Sequence, residues 1–296
     1  MDLRGICDPA TALTKFTLTR VAPDAALAPF VQHYWIVEWD LTGQPGHEQR
    51  VLPHPMVHVT FRRGHSRIAG VIRGHFTQRI EGRGHVLGVR FRPGGFRPFL
   101  GAPVSTITDR FLPLESVFPP SVRQLDDTAP ADEMATLVDR FLAVLAPPAD
   151  PHVTTIDGLV ARVADDPGLV RVDALAREAG LGVRALQRLF ADYVGVGPKW
   201  VIRRARIQEA AQRAVSGGTV DWAELAADLR YSDQAHFVRD FTALVGTTPT
   251  RYARPTTPPT GYARPTSPPT RYGRPTTPPI KEGRAEGALS PPRVLP

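Results

Sequence analysis

Arginine and glutamine near the start of a helix are well suited to reading base edges, and this sequence places them there twice. Leu186, Arg188, Phe190, Gly195 and Pro198 recur as Phe237, Arg239, Phe241, Gly246 and Pro249. The offset is 51 residues throughout (186 to 237, 198 to 249). Five matches at one offset indicate a duplicated supersecondary unit. Arginine pairs with guanine O6 and N7, and glutamine with adenine N6 and N7. The candidate readers are Arg184, Gln187 and Arg188 in the first copy. In the second they are Gln234, Ala235, His236 and Arg239. For Arg188 and Arg239 the other reading is a salt bridge inside the unit. Two similar tools suit a long, repetitive partner, and DNA is the obvious one.

The elements that must position these side chains are helices. From Thr154 the pattern predicts helices over 154–164, 172–179, 183–194, 198–216, 222–229 and 233–245. Leu186/Phe237 and Phe190/Phe241 lie four apart and pack inward. Each copy is then helix, tight turn, helix, with turns at Gly180-Leu181-Gly182 and Arg230-Tyr231. Gly182 and Ser232 are the expected N-caps of the second helices. The helix from Pro198 to Ser216 joins the units. Its nineteen residues span about 28 Å, close to the roughly 34 Å of one DNA turn. That match favours DNA over a protein partner.

Net charge is +7, but nearly all of it lies at the end of the chain. Residues 1–150 are net +1, residues 151–250 are neutral and residues 251–296 are net +6. From Arg184 to Arg213 seven basic residues face only Asp192 and Glu209. Lys199, Arg203, Arg204 and Arg230 are the expected phosphate contacts, against a solvated helix face as the bland alternative. From Tyr252 a ten-residue Pro/Thr repeat begins, read over 255–296 as a disordered, basic, polyproline-type tail. Such a tail is expected to add salt-sensitive, non-specific DNA affinity.

The first ~120 residues read as β-rich. Strands are expected within 51–61, 68–72 and 86–92, with Val57, Val59, Phe61, Leu87, Val89 and Phe91 facing inward. Phe30–Trp39 is a strand or a short helix. Asp132–Ala146 carries a helical stripe of Leu137, Val138, Phe141, Leu142 and Leu145. The expected fold is α+β and multidomain. A β-rich, barrel-like sensor or dimerisation domain (1–146) is followed by a linker (147–152), and an all-α domain of two helix-turn-helix motifs (153–254) precedes the tail.

No stretch approaches the length of a membrane span, the start does not read as a signal peptide, and Cys7 is the one cysteine. A reducing cytoplasm is the expected compartment. Seven of nine histidines precede residue 86, so a metal-dependent enzyme or binding module in the barrel is the competing reading. His54 and His58 on one strand would be about 13 Å apart, too far to chelate. His65, His75 and His85 follow glycines in expected turns. No nucleophile elbow, phosphate loop or metalloprotease motif occurs, so the chain is expected to be no enzyme and to need no metal or cofactor. Cys7, expected in a frayed terminus, does not suit alkyl-transfer chemistry. Arg90, Arg92 and Arg97 form either an anionic-effector pocket or a turn whose arginines pair with Glu115 or Asp109.

Residues 185–199 and 231–249 resemble the AraC/XylS family of bacterial transcription regulators, over about 153–254. The resemblance implies an all-helical domain with two helix-turn-helix motifs that binds double-stranded promoter DNA, and it supports the readers named above. In that family N-terminal domains bind effectors, dimerise, or both, so a small-molecule effector, a homodimer and RNA polymerase are the expected further partners, with no ligand named by the resemblance and no membrane expected from the lack of a long apolar run. Two positions depart from the pattern: Gly182 where the family has serine, and Arg230 where it has glycine. The latter strains the turn or lends a phosphate contact. About Leu27 to Phe118, including Gly88–Phe96, resembles an uncharacterised domain that precedes this helical domain in some AraC-type regulators.

Overall fold

The computed structural model describes residues 6–125, 130–215 and 220–253. The tail and the Gly217-Gly218 helix stop lie outside the described residues. Among the described residues eight strands precede the helical region: β1 (Thr17–Val21), β2 (Val31–Asp40), β3 (His47–Val51), β4 (His58–Phe61), β5 (Arg67–Ala69), β6 (Phe76–Ile80), β7 (Arg83–Phe91) and β8 (Phe111–Leu112). They form an antiparallel sheet in the order β1-β2-β7-β4-β5-β8 and a two-stranded sheet, β3-β6. Phe30–Trp39 thus resolves as strand. One-turn helices α1 (Pro9–Ala12) and α2 (Arg97–Leu100) flank the strands.

Strand alternation gives the large sheet two different faces. Tyr34, Ile36, Val59, Phe61, Leu87, Val89 and Phe91 share one buried cluster with Met134, Ala135, Val138 and Leu142 of α3 (Ala131–Val144). Tyr34 Oη donates to Asp139 on that helix at 2.7 Å. The expected helical stripe is shifted, since Leu137 is 43% exposed and Met134 and Ala135 take the inner face. The opposite face carries His33, Trp35, Val37 and Trp39 of β2, His58 of β4 and Arg90 of β7, with β3 and β6 beyond them. Trp35 pairs in register with Gly88 and Trp39 with Gly84. A Cβ on Gly88 would sit 2.0 Å from the Trp35 ring, and one on Gly84 2.7 Å from the Trp39 ring. The two glycines therefore let both indoles lie flat across β7.

The helices are α4 (Pro151–Asp165), α5 (Val172–Glu178), α6 (Val183–Tyr193), α7 (Pro198–Val215), α8 (Trp222–Asp228), α9 (Gln234–Val245) and α10 (Pro249–Tyr252). Asp150, within the expected linker, caps α4 by accepting from the His152 amide at 2.9 Å. The helical core also takes in Cys7, Leu52 and Val71 from the strand region. Residues 1–256 accordingly form one unit. Cys7 is a correction: its amide donates to Arg50 O at 3.1 Å, and its buried thiol is pushed up to about 11 by burial. No helix among the described residues is long and apolar enough to cross a membrane.

Candidate nucleic-acid interface

The two helix pairs begin alike. In the first, Gly180 N–H donates to Arg177 O and Leu181 N–H to Ala176 O, at 3.1 and 2.9 Å. In the second, Arg230 N–H donates to Ala227 O and Tyr231 N–H to Ala226 O, at 2.8 and 2.9 Å. These closures, offset by 50, are Schellman turns that need a left-handed residue. Gly180 takes φ +66° and Arg230 takes φ +57°. Arg230 thus occupies a conformation that costs a non-glycine residue about 1–2 kcal/mol. The extra residue in the second turn is Ser232, so the offset grows from 50 to 51.

Asp233, rather than Ser232, is the N-cap of α9. Its carboxylate accepts from the His236 amide at 2.7 Å, and the hydrogen bonds from that amide and from Ser232, with the nearby Arg239 charge, hold it below the usual carboxylate range. Ser232 supports it with a 3.0 Å bond. Gly182 caps α6 without a side chain.

Leu186 and Phe190 are fully buried in α6, as are Phe237 and Phe241 in α9. The phenylalanine that replaces leucine at 237 is matched by aromatic packing, with Trp222 stacked at 6.0 Å and Tyr231 edge-on at 5.4 Å. This leaves Arg184, Gln187 and Arg188 exposed on α6, and Gln234, Ala235, His236 and Arg239 exposed on α9. Arg184, Arg188 and Arg239 pair with no described residue, so the internal salt bridge considered for Arg188 and Arg239 does not form among them. His236 is more constrained: its ring lies 3.6 Å from Asp240 and edge-on to Tyr231 at 5.2 Å.

The basic run on α7 divides differently from expectation. Lys199 is exposed, as is Arg230 beyond the helix. Arg203 reaches Asp240 of α9 at 3.4 Å. Arg204 is 9% exposed, and donates to Pro53 O at 2.8 Å and to His54 Nδ1 at 3.0 Å. A buried arginine held by the strand region cannot be a phosphate contact, so that expectation is corrected. Arg206 donates to Leu229 O at 2.7 Å and stacks 3.7 Å over the Tyr231 ring, gripping the second turn. Arg213 ties α7 to Asp228 of α8 at 3.2 Å.

Arg92 and Arg97 also join the two regions. Arg92 pairs with Asp157 at 2.9 Å and Arg97 with Asp192 at 2.7 Å. Neither meets Glu115 or Asp109, which pair with Arg123 and Arg73. Thr108 Oγ1 donates to Gly195 O at 2.6 Å, and Trp200 Nε1 to Arg73 O at 3.3 Å. These links gather at the C-terminal end of α6, leaving its reading end clear.

Arg90 alone of the three lines a cavity, of about 510 Å³, between the two sheets. It donates to Met56 Sδ at 2.9 Å and to His54 Nδ1 at 3.4 Å. His54 and His58 are not strung along one strand. Strand β4 starts only at His58, Pro53 and Pro55 bend the chain before it, and the two rings come within 6.0 Å. Burial, reinforced by Arg90, holds both rings below their usual pKa, His58 at about 3. His85 falls within β7 rather than in a turn. Among the described residues no cluster of three or more His, Cys, Asp or Glu is placed to hold a metal ion. Sequence reasoning missed the Trp35/Gly88 and Trp39/Gly84 pairs, although the shared spacing of four was present as a signal.

Residues 175–255 match a family described as a helix-turn-helix domain, and residues 19–113 match a domain of unknown function, DUF6597. A probable transcription factor, PqrA of Proteus vulgaris, is 29% identical over 83 residues, covering 28% of this chain and 67% of that protein. Two structures of ToxT from Vibrio cholerae are also similar. One, from strain O395, covers 81% of this chain and 97% of its own at 10% identity and a TM-score of 0.35. The other, bound to an unsaturated fatty acid, covers 81% and 91% at 12% identity and a TM-score of 0.33. The C-terminal helices of this chain thus match a helix-turn-helix domain, carried behind a stretch that matches DUF6597.

Proposed function

We propose that the chain is a DNA-binding transcription regulator that inserts α6 and α9 into successive major grooves. The observation that carries this reading is the exposed polar face at the N-terminal end of both second helices, set on buried Leu186/Phe190 and Phe237/Phe241. Arg184, Gln187 and Arg188 read base edges from α6; Gln234, Ala235, His236 and Arg239 do so from α9. Lys199 and Arg230 meet phosphates and set register. Arg203, half-exposed beside Asp240, can reach a phosphate only by leaving that partner. The first copy carries most of the specificity, because His236 is already engaged by Asp240 and Tyr231. The regulator works in the cytoplasm, and the strand region, joined to α4, α6 and α7, modulates it.

Arg188→Ala and Arg239→Ala test the assignment. Each is expected to cost about 1–3 kcal/mol at a specific site, with the larger loss at Arg188, while non-specific binding changes little. Titration of labelled duplexes at fixed salt measures both. Equal losses on specific and random DNA would turn these arginines into phosphate contacts.

A further inference from the structure

The repeated glycines of the two units do more than close their turns. Gly195 stands just past α6 at φ +90°, and Gly246 just past α9 at φ +79°. Both lie against the strand region. A Cβ on Gly195 would sit 2.8 Å from Thr108 Oγ1 and 3.1 Å from Val104 O. One on Gly246 would sit 2.8 Å from the His75 ring. Thr108 Oγ1 also donates to Gly195 O at 2.6 Å. Two positions that match in sequence thus match in what they touch: each reading helix ends on a loop of the strand region.

The two loops are tied to each other. Residues 70–75 run from β5 to β6, and residues 103–110 lead into β8, which pairs with β5. Gly70 N–H donates to Arg110 O and Asp109 N–H to Val71 O, both at 3.0 Å. The loops are in close contact there, since a Cβ on Gly70 would fall 1.8 Å from Ile107 O. The Asp109 carboxylate then crosses from one loop to the other. It accepts from the Arg73 amide at 2.7 Å and from Arg73 Nε at 2.6 Å. Asp109 makes these bonds from a left-handed backbone, φ +56°, a region that aspartate enters more readily than most residues. Arg73 is the hub, because its carbonyl also accepts from Trp200 Nε1 of α7 at 3.3 Å. Asp109 follows Thr108, and Arg73 precedes His75 by two. One carboxylate therefore joins the contact at Gly195 to the contact at Gly246.

We propose that Asp109 is a positioning residue for DNA reading: it staples the two loops into a brace that sets the spacing of α6 and α9. Along the chain the two helices are joined through α7. A single path leaves a hinge at each end of α7, whereas a second path closes a ring. The ring runs from α6 through Gly195, Thr108, Asp109, Arg73, His75 and Gly246 to α9, and returns along α7. It holds distance and orientation before DNA arrives, so little ordering cost is met on binding. It also makes spacing a part of specificity. One base pair more or less between two half-sites turns one against the other by about 35° and shifts it by about 3.4 Å. A rigid pair of helices cannot follow both half-sites through that change. The effect on DNA rests on the two-helix regulator reading; the fixed spacing of the helices does not.

The first test needs no DNA. The full chain carries nitroxides at Arg184→Cys and Gln234→Cys, both exposed at the reading ends, with the buried Cys7 left in place. Pulsed electron double resonance reads the distance distribution between them. With Asp109 present, one narrow distribution is expected. Asp109→Gly fits the left-handed backbone but lacks the carboxylate, and is expected to widen the distribution about twofold or more. Asp109→Asn keeps an acceptor for the Arg73 amide and is expected to widen it less. The second test uses the unlabelled chain and a duplex enriched by selection from random DNA, with one base pair added or removed between its blocks. The wild-type chain is expected to lose about tenfold or more on either altered duplex, and Asp109→Gly about threefold. On a duplex with one block scrambled the two are expected to agree within about twofold. A merely structural role would weaken every duplex in step and leave the spacing penalty whole. A broad distribution with Asp109 present, or an unchanged width in folded Asp109→Gly, overturns the proposal. Thr108→Val, which keeps the shape and deletes the bond to Gly195 O, carries the same expectation if the glycine variant does not fold. A chain that selects two blocks yet takes all spacings alike sinks the brace and leaves the regulator reading intact. One with a narrow, Asp109-dependent distance that selects no DNA does the reverse.

Discussion

Arg230 shows how one residue can carry two opposed demands. Its left-handed backbone, φ +57°, matches Gly180 in the other unit. The guanidinium stays exposed, which fits a phosphate contact. Arg230→Gly is therefore expected to raise stability by about 1 kcal/mol in urea denaturation while lowering DNA affinity and flattening its salt slope by about one unit. A gain in stability with unchanged DNA binding would make the arginine a tolerated strain without function. His58 carries a different linkage. Burial, then Arg90 and His33, depress its folded pKa to about 3, against 6.5 unperturbed. Between those values the unfolded chain binds the extra proton, so stability is present above pH 6.5 and is lost as pH falls. His33, His54, Trp35 and Arg90 face it, and none supplies a negative charge. The urea midpoint is expected to drop from pH 7 to pH 5, and by less in His58→Gln. Parallel profiles would mean that other groups set the acid limit.

At the scale of elements, the duplicated helices were legible because apolar spacing, glycines and Pro198 mark their bounds. All six helices expected after residue 150 are present to within three residues at each described end. Strands β1, β3 and β6 were not: their burial alternates, but Arg20, Gln49 and Gln78 stand at inward positions, so no apolar alternation marks them. Those of β3 and β6 face a cavity instead of a packed core. The charge run on α7 was legible as charge but not as use. Arg203, Arg204, Arg206 and Arg213 find partners 15 to 151 positions away, and no local pattern reports that. Arg206 makes the point testable. Its fork bonds Leu229 O while its plane stacks on Tyr231. Arg206→Ala is expected to cost about 1–3 kcal/mol of stability, and Arg206→Lys to recover little, because an ammonium lacks the planar fork. Full recovery by lysine would reduce the contact to simple charge.

At the scale of the molecule, a strand region built around a cavity and a helical region built around α7 share apolar core residues, two ion pairs and the Arg204–His54 link. The division into a sheet-rich part and a double helix-turn-helix part was readable from periodicity alone. The seam was not, because its polar partners, such as Arg92 with Asp157 and Arg204 with Pro53, lie 65 to 151 positions apart. What the whole arrangement requires is that both reading helices act on one duplex. Selection of bound sites from random DNA by the full chain tests this most directly. Two preferred blocks centred about 10–10.5 base pairs apart are expected, with Arg188→Ala relaxing one block and Arg239→Ala the other. A single block, or one relaxed by both substitutions, would contradict the two-helix account.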